Sequence, residues 1–385
     1  MGAPLPHRLD AQDPRSFAHL TLVERVPRLL SGLLSAAPLS AVARARLAEA
    51  AAHPLELRVQ ELPLPPEDAP RWEEFFAAHR GRRLSTLPFF EWEAYLYAWL
   101  LVETGYFESG RDPFLPAKRD DFAASLAAME EASRAALRSD EGPPGPALRA
   151  AVERSLRANL ADLSNPEMQA RGASGTVLLH EEPWEEVRAL LLSGDRVRIL
   201  ADNAMSELWY DLLLARALSR AAPRTAIELA VKRDPMFVSD ATLSDLDRLW
   251  ELVDGAPAAP SLGRAAAEVR SLLSSGRVEV RAYPELNAPL HLSAPALAPL
   301  AAPEVTLLVK GDANFRRALE DRAWAPTTPF ELACRAPFRR ALFLRVLKSE
   351  CVAGLSAAAV ERADREDPTW RTDGRHATVQ LLRRA

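Results

Sequence analysis

The sequence predicts an α/β fold in which a mostly parallel β-sheet with helices on both faces follows an all-helical N-terminal region. As far as about Asn165, apolar residues recur at helical spacing, with no convincing strand among them. After Asn165-Pro166, short β-branched runs alternate with helical patterns, as in proteins built on parallel sheets. We therefore predict two domains, a helical one over residues 1–165 and an α/β/α one over residues 166–385, which suits a chain of 385 residues.

The N-terminal region contains a dense aromatic helix within Pro88–Lys118, and this helix carries Glu91. Aromatic residues at helical spacing usually line a core, so packing is the simplest interpretation for them but does not account for the acid. The Gly-Pro-rich stretch Gly142–Pro146 predicts a mobile surface loop near residues 139–147. Four further stretches have helical spacing: Arg15–Leu34, Ser40–Ala52, Asp120–Arg138 and Ala147–Leu163.

The C-terminal region contains runs that predict strands, and polar residues follow three of them. The predicted strands are Arg196–Ala201, Ala226–Val231, Arg277–Ala282 and Val305–Val309; helices are predicted from Ser206 and over Thr242–Val253 and Asn314–Arg322. Asp202-Asn203 follows the first strand, Lys232–Asp240 the second and Lys310–Asn314 the last. Because parallel strands end at the same edge of a sheet, we expect these three polar clusters to converge there.

Composition and charge exclude several classes of partner. The net charge is −5 and the basic residues are scattered, so neither a nucleic acid nor an anionic membrane surface is predicted as a partner. No apolar run is long enough for a membrane span, and Met1–Leu20 is too polar for a signal peptide, so we expect a cytoplasmic protein. Cys334 and Cys351 lack metal-site spacing and are expected to be buried thiols.

The polar clusters offer hard oxygen ligands. Asp202 and Asn203 suit Mg²⁺ or Mn²⁺, although either residue could simply cap the following helix. Asp240 could complete a metal site or occupy a turn. Asp245, three residues after Thr242, is predicted to form a capping box and to be structural.

Lys310 ends a predicted buried strand just before a helix. Lysines are usually exposed, but one in this position could supply a point charge for phosphate. The sequence contains no nucleotide-binding glycine loop, no nucleophile elbow, no HExxH and no aspartyl-phosphate motif. Carboxylate and carboxamide oxygens with a lysine therefore favour metal-assisted hydrolysis of a phosphate ester.

Four ordered motifs resemble the metal-dependent damage-control phosphatases. They are ADNAMSELWYDLLLA (Ala201–Ala215), VKRDPMFVSDAT (Val231–Thr242), KGDANFRRALEDRAW (Lys310–Trp324) and LRVLKSECVAGL (Leu344–Leu355). The likeness also includes DPFLPAK (Asp112–Lys118) and the tail Gly374–Val379. It is strongest to the sugar-phosphate branch, which also contains the proteins called acidic-residue methyltransferases.

The resemblance implies a helical domain on a three-layer α/β/α sandwich. It also implies that Asp202, Asn203 and Asp240 hold a divalent metal (Mn²⁺, Mg²⁺, Co²⁺ or Ni²⁺) and that Lys310 contacts the phosphate. The implied substrates are small phosphorylated metabolites, with hexose phosphates such as fructose 1-phosphate or fructose 6-phosphate expected first.

Further substrate contacts are expected from the same region. Asn314 and Lys348 are candidates for phosphate contacts, and Arg345 is a candidate for substrate binding. Glu91 could meet a sugar hydroxyl or act as a general acid or base. The chain departs from the family pattern at Met205, where glycine is usual, and at Val346, where threonine is usual in an Arg-Thr-x-Lys motif. A methionine beside the ligands could narrow the pocket or need a backbone shift.

Two alternative functions remain open at this point. The resemblance also allows transfer of a methyl group from S-adenosylmethionine to protein carboxylates, although the first strand ends in Asp-Asn instead of a glycine-rich turn. A sugar-phosphate-binding protein without turnover is the other alternative, if Met205 has abolished catalysis.

Overall fold

The structure is a computed structural model that describes residues 4–158, 176–302 and 304–384. A π-helical turn, Thr21–Arg25, joins the first two helices. The helices of the N-terminal part are α1 (Phe17–Leu20), α2 (Val26–Ala36), α3 (Ala41–Ala52), α4 (Ala69–His79), α5 (Phe89–Glu103), α6 (Tyr106–Ser109), α7 (Leu115–Arg138) and α8 (Pro144–Ala158). No helix in these ranges is both long and apolar enough to cross a membrane.

The second part is built on a seven-stranded sheet with the order β1-β7-β6-β5-β2-β3-β4. The strands are β1 (Val177–Glu181), β2 (Arg196–Leu200), β3 (Ala226–Val231), β4 (Val278–Ala282), β5 (Val305–Lys310), β6 (Arg340–Val346) and β7 (His376–Arg383). The helices are α9 (Trp184–Leu192), α10 (Met205–Ala221), α11 (Leu243–Asp254), α12 (Pro260–Ser274), α13 (Asp312–Ala318), α14 (Phe330–Ala333) and α15 (Ala357–Glu366).

The sheet is mostly parallel, which confirms the predicted fold class. β7 is antiparallel to β6 and parallel to β1, whereas the strands from β6 to β4 run parallel to one another. The four predicted strands correspond to β2, β3, β4 and β5. β1, β6 and β7 were not predicted as strands.

Successive side chains along the strands pack alternately into two cores on opposite faces of the sheet. Val197 and Ile199 of β2 face the larger core with α7 to α12, whereas Leu200 faces a second core with α13 and α14. Both faces of the sheet are therefore covered at β2, and four of its five residues are buried.

α7 and α8 pack on the sheet through α10, whereas the preceding helices enclose a separate core. The predicted boundary near residue 165 and the end of the predicted helix Ala147–Leu163 lie outside the described residues. Within the predicted loop near residues 139–147, a 3₁₀ turn covers Ser139–Glu141 and α8 begins at Pro144. Proline suits this position because the first helical N–H needs no partner.

The predicted helix Asn314–Arg322 was too long. α13 ends at Ala318, and Glu320 and Asp321 have φ angles of 56° and 53°, which end the right-handed helix. Asp321 is held there because its carboxylate accepts hydrogen bonds from the Phe90 N–H (2.6 Å) and from Arg316 Nε (2.8 Å). The tertiary contact with α5 therefore overrides the local helical pattern.

Candidate functional site

The site lies where β2, β3 and β5 end. β2 pairs on one side with β3, the next strand along the chain, and on the other side with β5. This change in strand order places a topological switch point at β2. The segment after β3 returns to this edge, because Ala241 N–H donates to the Asp202 carbonyl (3.1 Å). Asp202, Asn203 and Asp240 therefore come together, as the convergence of the polar clusters predicts.

Gly311, which follows β5, lies against the Asp202 carboxylate. A Cβ atom at this position would be 1.8 Å from Asp202 Oδ2, and the φ angle of Gly311 is 80°. Only glycine satisfies both constraints, because any side chain would collide with the carboxylate and would strain the backbone. The Lys310-Gly311 pair thus brings β5 into contact with the acid that ends β2.

Asn203 is oriented by two neighbours. Its Oδ1 accepts a hydrogen bond from Ser239 Oγ (2.6 Å), and its Nδ2 donates to Glu207 Oε2 (2.8 Å). Glu207 belongs to α10 and is almost fully buried. The amide orientation is therefore determined from both sides.

Asp202 and Asp240 are buried acids whose charged forms are disfavoured. Burial raises the pKa of Asp202 to about 7, and the neighbouring Glu207 adds to this effect. Burial also raises the pKa of Asp240 to about 6, although the Lys232 ammonium group donates to its Oδ2. Lys348, which is half-buried, acts on Asp202 electrostatically in the opposite direction to burial.

The donor set fits a divalent cation. Two carboxylates and a carboxamide offer hard oxygen ligands in a buried place, where desolvated anions need a compensating positive charge. A soft metal is disfavoured because both cysteines, Cys334 and Cys351, are free and buried in other parts of the fold.

Lys310 is fully buried and lies between two carboxylates of α10. Its Nζ is 2.6 Å from Asp211 Oδ1 and 3.0 Å from Glu207 Oε1. Burial alone would lower the pKa of Lys310, but Asp211 and Glu207 outweigh it and raise the pKa. The exposed-lysine interpretation is excluded. Glu207 links Lys310 to Asn203, because one of its carboxylate oxygens contacts each residue. Contact of Lys310 with a phosphate stays a prediction.

Asn314 and Arg345, two of the predicted substrate-binding residues, form hydrogen bonds within the protein. Asn314 Nδ2 donates to the carbonyls of Lys310 (3.0 Å) and Ala201 (3.3 Å), which ties β5 to β2. Arg345 donates to Asp312 Oδ1 (2.7 Å from Nε) and to the Cys351 carbonyl (2.6 Å from Nη1). These contacts hold both side chains in place, and their contact with a substrate stays a prediction.

The family departures are accommodated in different ways. Met205 is fully buried and has a φ angle of 47°, in the left-handed region that favours glycine. The backbone therefore keeps a glycine-like conformation at α10's first residue. Val346 ends β6 and packs in the larger core, where a valine side chain needs no hydrogen-bond partner.

Glu91 belongs to a cluster between the helical part and the sheet. It contacts Arg8 Nη1 (2.5 Å), His79 Nε2 (3.1 Å) and His291 Nε2 (3.4 Å). Burial would raise the pKa of Glu91, but His291, His79 and Arg8 outweigh it and lower the pKa to about 2. A carboxylate held in its ionised form suits ion pairing better than proton donation.

Sequence reasoning missed several buried polar residues of the site: Lys118, Glu207, Asp211, Lys232 as a partner of Asp240, and Arg317. Glu207 and Asp211 could have been found, because they are acids four residues apart on the apolar face of a predicted helix. Nothing in the local pattern identifies Lys118, which comes from a distant helix.

A second acidic group lies elsewhere, at the turn before β7. Ligand atoms of Asp367, Asp373 and His376 lie within 4.8 Å of one another. Their oxygens serve the turn: Asp367 Oδ1 accepts from Thr369 N–H (2.9 Å) and Asp373 Oδ1 from Arg375 N–H (2.8 Å). This group is a turn motif and was not among the predicted ligands.

Comparison with known proteins identifies the family. A family model described as "Damage-control phosphatase ARMT1-like domain" matches residues 21–363. Proteins named Damage-control phosphatase ARMT1 are similar over about half of this chain: that of Danio rerio is 31% identical over 194 residues, which cover 48% of this chain and 43% of the relative. The human protein is 30% identical over 194 residues, covering 49% and 44% respectively.

The match spans less than half the length of these curated relatives. Among solved structures, a DUF89 family protein from Pyrococcus horikoshii aligns over 89% of this chain and 93% of its own, with 14% identity and a TM-score of 0.46. The family model covers most of the chain and agrees with the resemblance carried by the four sequence motifs. The protein therefore belongs to the damage-control phosphatase ARMT1-like family.

Proposed function

We propose that the protein is a metal-dependent phosphatase that hydrolyses phosphate monoesters of small metabolites, with hexose phosphates such as fructose 1-phosphate and fructose 6-phosphate as its substrate class. The observation that carries the proposal is the convergence of two buried acids, Asp202 and Asp240, with the partly buried Asn203 at one point of the sheet edge. Family membership supports the reaction class. The substrate class follows from the sequence resemblance to the sugar-phosphate branch.

Asp202, Asn203 and Asp240 would hold the divalent cation, for which Mn²⁺, Mg²⁺, Co²⁺ and Ni²⁺ are the candidates. Such an ion, when bound, neutralises phosphate charge and lowers the pKa of a coordinated water. Ser239 and Glu207 hold the Asn203 amide in one orientation from opposite sides. Lys310 holds the Glu207 carboxylate in place through their ion pair.

Positive charge around the acids supports an anionic substrate. The Lys232 ammonium group forms an ion pair with the Asp240 carboxylate, and the charge of Lys348 lowers the pKa of Asp202 against the effect of burial. The loop that carries Lys348 is held by Asp312, whose Oδ1 accepts from the Lys348 N–H (3.2 Å) and from Arg345. A lysine ammonium group placed in this way attracts phosphate as a point charge.

We also propose that the protein works in the cytoplasm on a small phosphorylated metabolite, without a nucleic-acid or membrane partner. Both cysteines are free buried thiols, which a reducing compartment maintains. The net charge of −5 gives no general attraction for polyanions.

A screen of metals against phosphorylated metabolites tests the function. We expect Mn²⁺ or Co²⁺ to raise the melting temperature and to support release of inorganic phosphate from hexose phosphates, and a chelator to abolish both effects. S-adenosylmethionine serves as the comparison ligand and should not shift the melting temperature.

Stoichiometric binding of S-adenosylmethionine to metal-free protein, without phosphate release under any metal, would favour the methyltransferase alternative. Sugar-phosphate binding without phosphate release would favour the non-catalytic binding protein.

A further inference from the structure

Arg317 is a buried arginine with unused hydrogen-bond donors. Its side chain is about 1% exposed. Nη2 donates to the carbonyls of Leu286 (2.5 Å) and Ala288 (3.4 Å), whereas Nε and Nη1 have no hydrogen-bond partner among the described residues. A buried guanidinium with unsatisfied donors is unfavourable, so a folded protein keeps one only where something else compensates for it.

The other buried arginines of the described chain provide a matched comparison. Each of them is paired with at least one carboxylate: Arg198 with Glu228, Arg216 with Asp140 and Glu268, Arg316 with Asp321 and Glu93, and Arg345 with Asp312. Arg317 has only carbonyl oxygens as hydrogen-bond acceptors. Its missing counterion is therefore a specific property of this position.

The charges of two proposed metal ligands act on Arg317. Burial lowers its pKa to about 10, and the charges of Asp240 and Asp202 offset part of that effect, which places both acids within electrostatic reach. The guanidinium Cζ is 4.6 Å from the centre of the Phe90 ring. The ring of Phe237 packs near Phe90 at 6.3 Å, and Lys232 lies 4.5 Å above Phe237. The rings of Phe90 and Phe237 therefore connect Arg317 to the Lys232–Asp240 ion pair through successive contacts.

The chemistry of the unsatisfied donors selects their ligand. The two unsatisfied nitrogens, Nε and Nη1, point to different edges of the guanidinium, so each can donate to a separate acceptor, and a guanidinium hydrogen bond is strongest when the acceptor is an anionic oxygen. An anion would also supply the charge that Arg317 lacks, which a sugar hydroxyl would not do. Lys310, by contrast, already has Glu207 and Asp211 as counterions.

We propose that Arg317 donates to a phosphoryl oxygen of the substrate from one of its unsatisfied nitrogens, near Asp202 and Asp240, and that Lys310 is a positioning residue that acts through Glu207 and Asn203. This inference rests on the proposed phosphatase function. It transfers the phosphate contact expected of Lys310 to a residue that the sequence motif contains but does not single out.

Binding of inorganic phosphate to the Mn²⁺-loaded protein, followed by calorimetry, tests the inference directly. Arg317→Gln should weaken phosphate binding by about 10- to 100-fold, the size expected for hydrogen bonds to a charged group. Arg317→Lys keeps the charge without the guanidinium donors and should give an intermediate loss. Arg224→Gln, at an exposed arginine, is the matched control and should bind phosphate like the wild type.

Thermal unfolding of the metal-free variants separates binding from structure. Arg317→Gln should melt at the same or a higher temperature than the wild type, because the substitution removes an uncompensated buried charge. If Arg317→Gln and Arg317→Lys both unfold at much lower temperature, Arg317 is a structural residue and the inference is wrong.

The possible results also distinguish this inference from the proposed function. Phosphate release by the wild type together with unchanged phosphate affinity in Arg317→Gln overturns the role of Arg317 alone. Arg317-dependent phosphate binding without hydrolysis of any ester overturns the phosphatase proposal alone. Absence of both binding and hydrolysis in the wild type contradicts both.

Discussion

The Lys118 ammonium group donates a 3.0 Å hydrogen bond to the main-chain carbonyl of Asp240. Lys118 lies on α7, is fully buried, and also contacts Asp112 Oδ2 (2.9 Å) and Asp245 Oδ2 (2.8 Å). Asp245 belongs to the capping box of α11, as predicted. One lysine therefore joins the DPFLPAK motif, a helix cap and a proposed metal ligand, and its contact with the Asp240 carbonyl limits where that ligand can lie.

We expect Lys118→Met to weaken Mn²⁺ binding by about 10- to 100-fold, the usual cost of removing a group that orients a metal ligand. The metal titration should be followed by the shift in melting temperature. Because Asp112 and Asp245 lose their counterion, the double variant Lys118→Met/Asp112→Asn is the control for loss of folding. Wild-type Mn²⁺ affinity in a folded Lys118 variant would show that Asp240 needs no such support.

Asp202→Asn and Asp240→Asn should have opposite effects on the metal-free protein. Asp202 is buried near Glu207, so removing its charge relieves repulsion and should leave stability unchanged or higher. Asp240→Asn breaks the buried pair with Lys232 and should cost about 3–5 kcal/mol of unfolding free energy.

Both variants should lose the stabilisation by Mn²⁺ that the wild type shows, whereas Asp247→Asn, at an exposed acid on α11, should keep it. Urea denaturation with and without Mn²⁺ measures both quantities. A normal Mn²⁺ response in either site variant would remove that residue from the ligand set.

Lys310→Met should lower the free energy of unfolding by about 3–5 kcal/mol, because it leaves two buried carboxylates without a counterion. Adding Asp211→Asn should recover part of this loss, since one of the two charges is then also removed. Chemical denaturation of the single and double variants measures the coupling. Additive effects would mean that the Lys310–Asp211 pair contributes nothing to stability.

The Glu91 cluster predicts a stability change in acid. The pKa of Glu91 falls to about 2 in the folded protein, from 4.5 for the free side chain. A lowered folded-state pKa stabilises the protein above the unfolded pKa, and this contribution is lost as the pH falls from about 4.5 towards 2. The loss amounts to about 3 kcal/mol at most.

Glu91→Gln should therefore flatten the acid limb of the stability curve between these pH values. Unfolding free energies of the two proteins at pH 5 and pH 3 test this expectation. An equal decline in both would place the acid sensitivity in other carboxylates.

Met205→Gly tests two opposing effects at one residue. Glycine relieves a left-handed backbone that costs other residues about 1–2 kcal/mol. It also removes a fully buried side chain, whose loss costs about 2–5 kcal/mol. Packing outweighs strain, so we expect a net decrease in stability, measured by urea denaturation. A more stable glycine variant would mean that the backbone strain at Met205 exceeds the packing contribution of its side chain.

The sequence by itself determined many of the local elements and where the polar clusters converge. Helical periodicity identified α3, α7 and α11 to within a few residues, and β-branched runs identified β2 to β5, because both patterns are properties of neighbouring residues. The polar clusters at the ends of β2, β3 and β5 followed from the parallel arrangement. Met205 also stood out, since glycine is usual at this position in the family.

Only the tertiary structure decided which charges meet and which strands complete the sheet. The pairing of β6 with β7, the packing of α7 on α10 and the contact of Lys118 with Asp240 join residues far apart in the chain. The sequence motif contains Lys310 and Arg317 without distinguishing them, yet one is neutralised by α10 and the other lacks a counterion. That difference arises from burial and from the placement of distant carboxylates, neither of which a local pattern encodes.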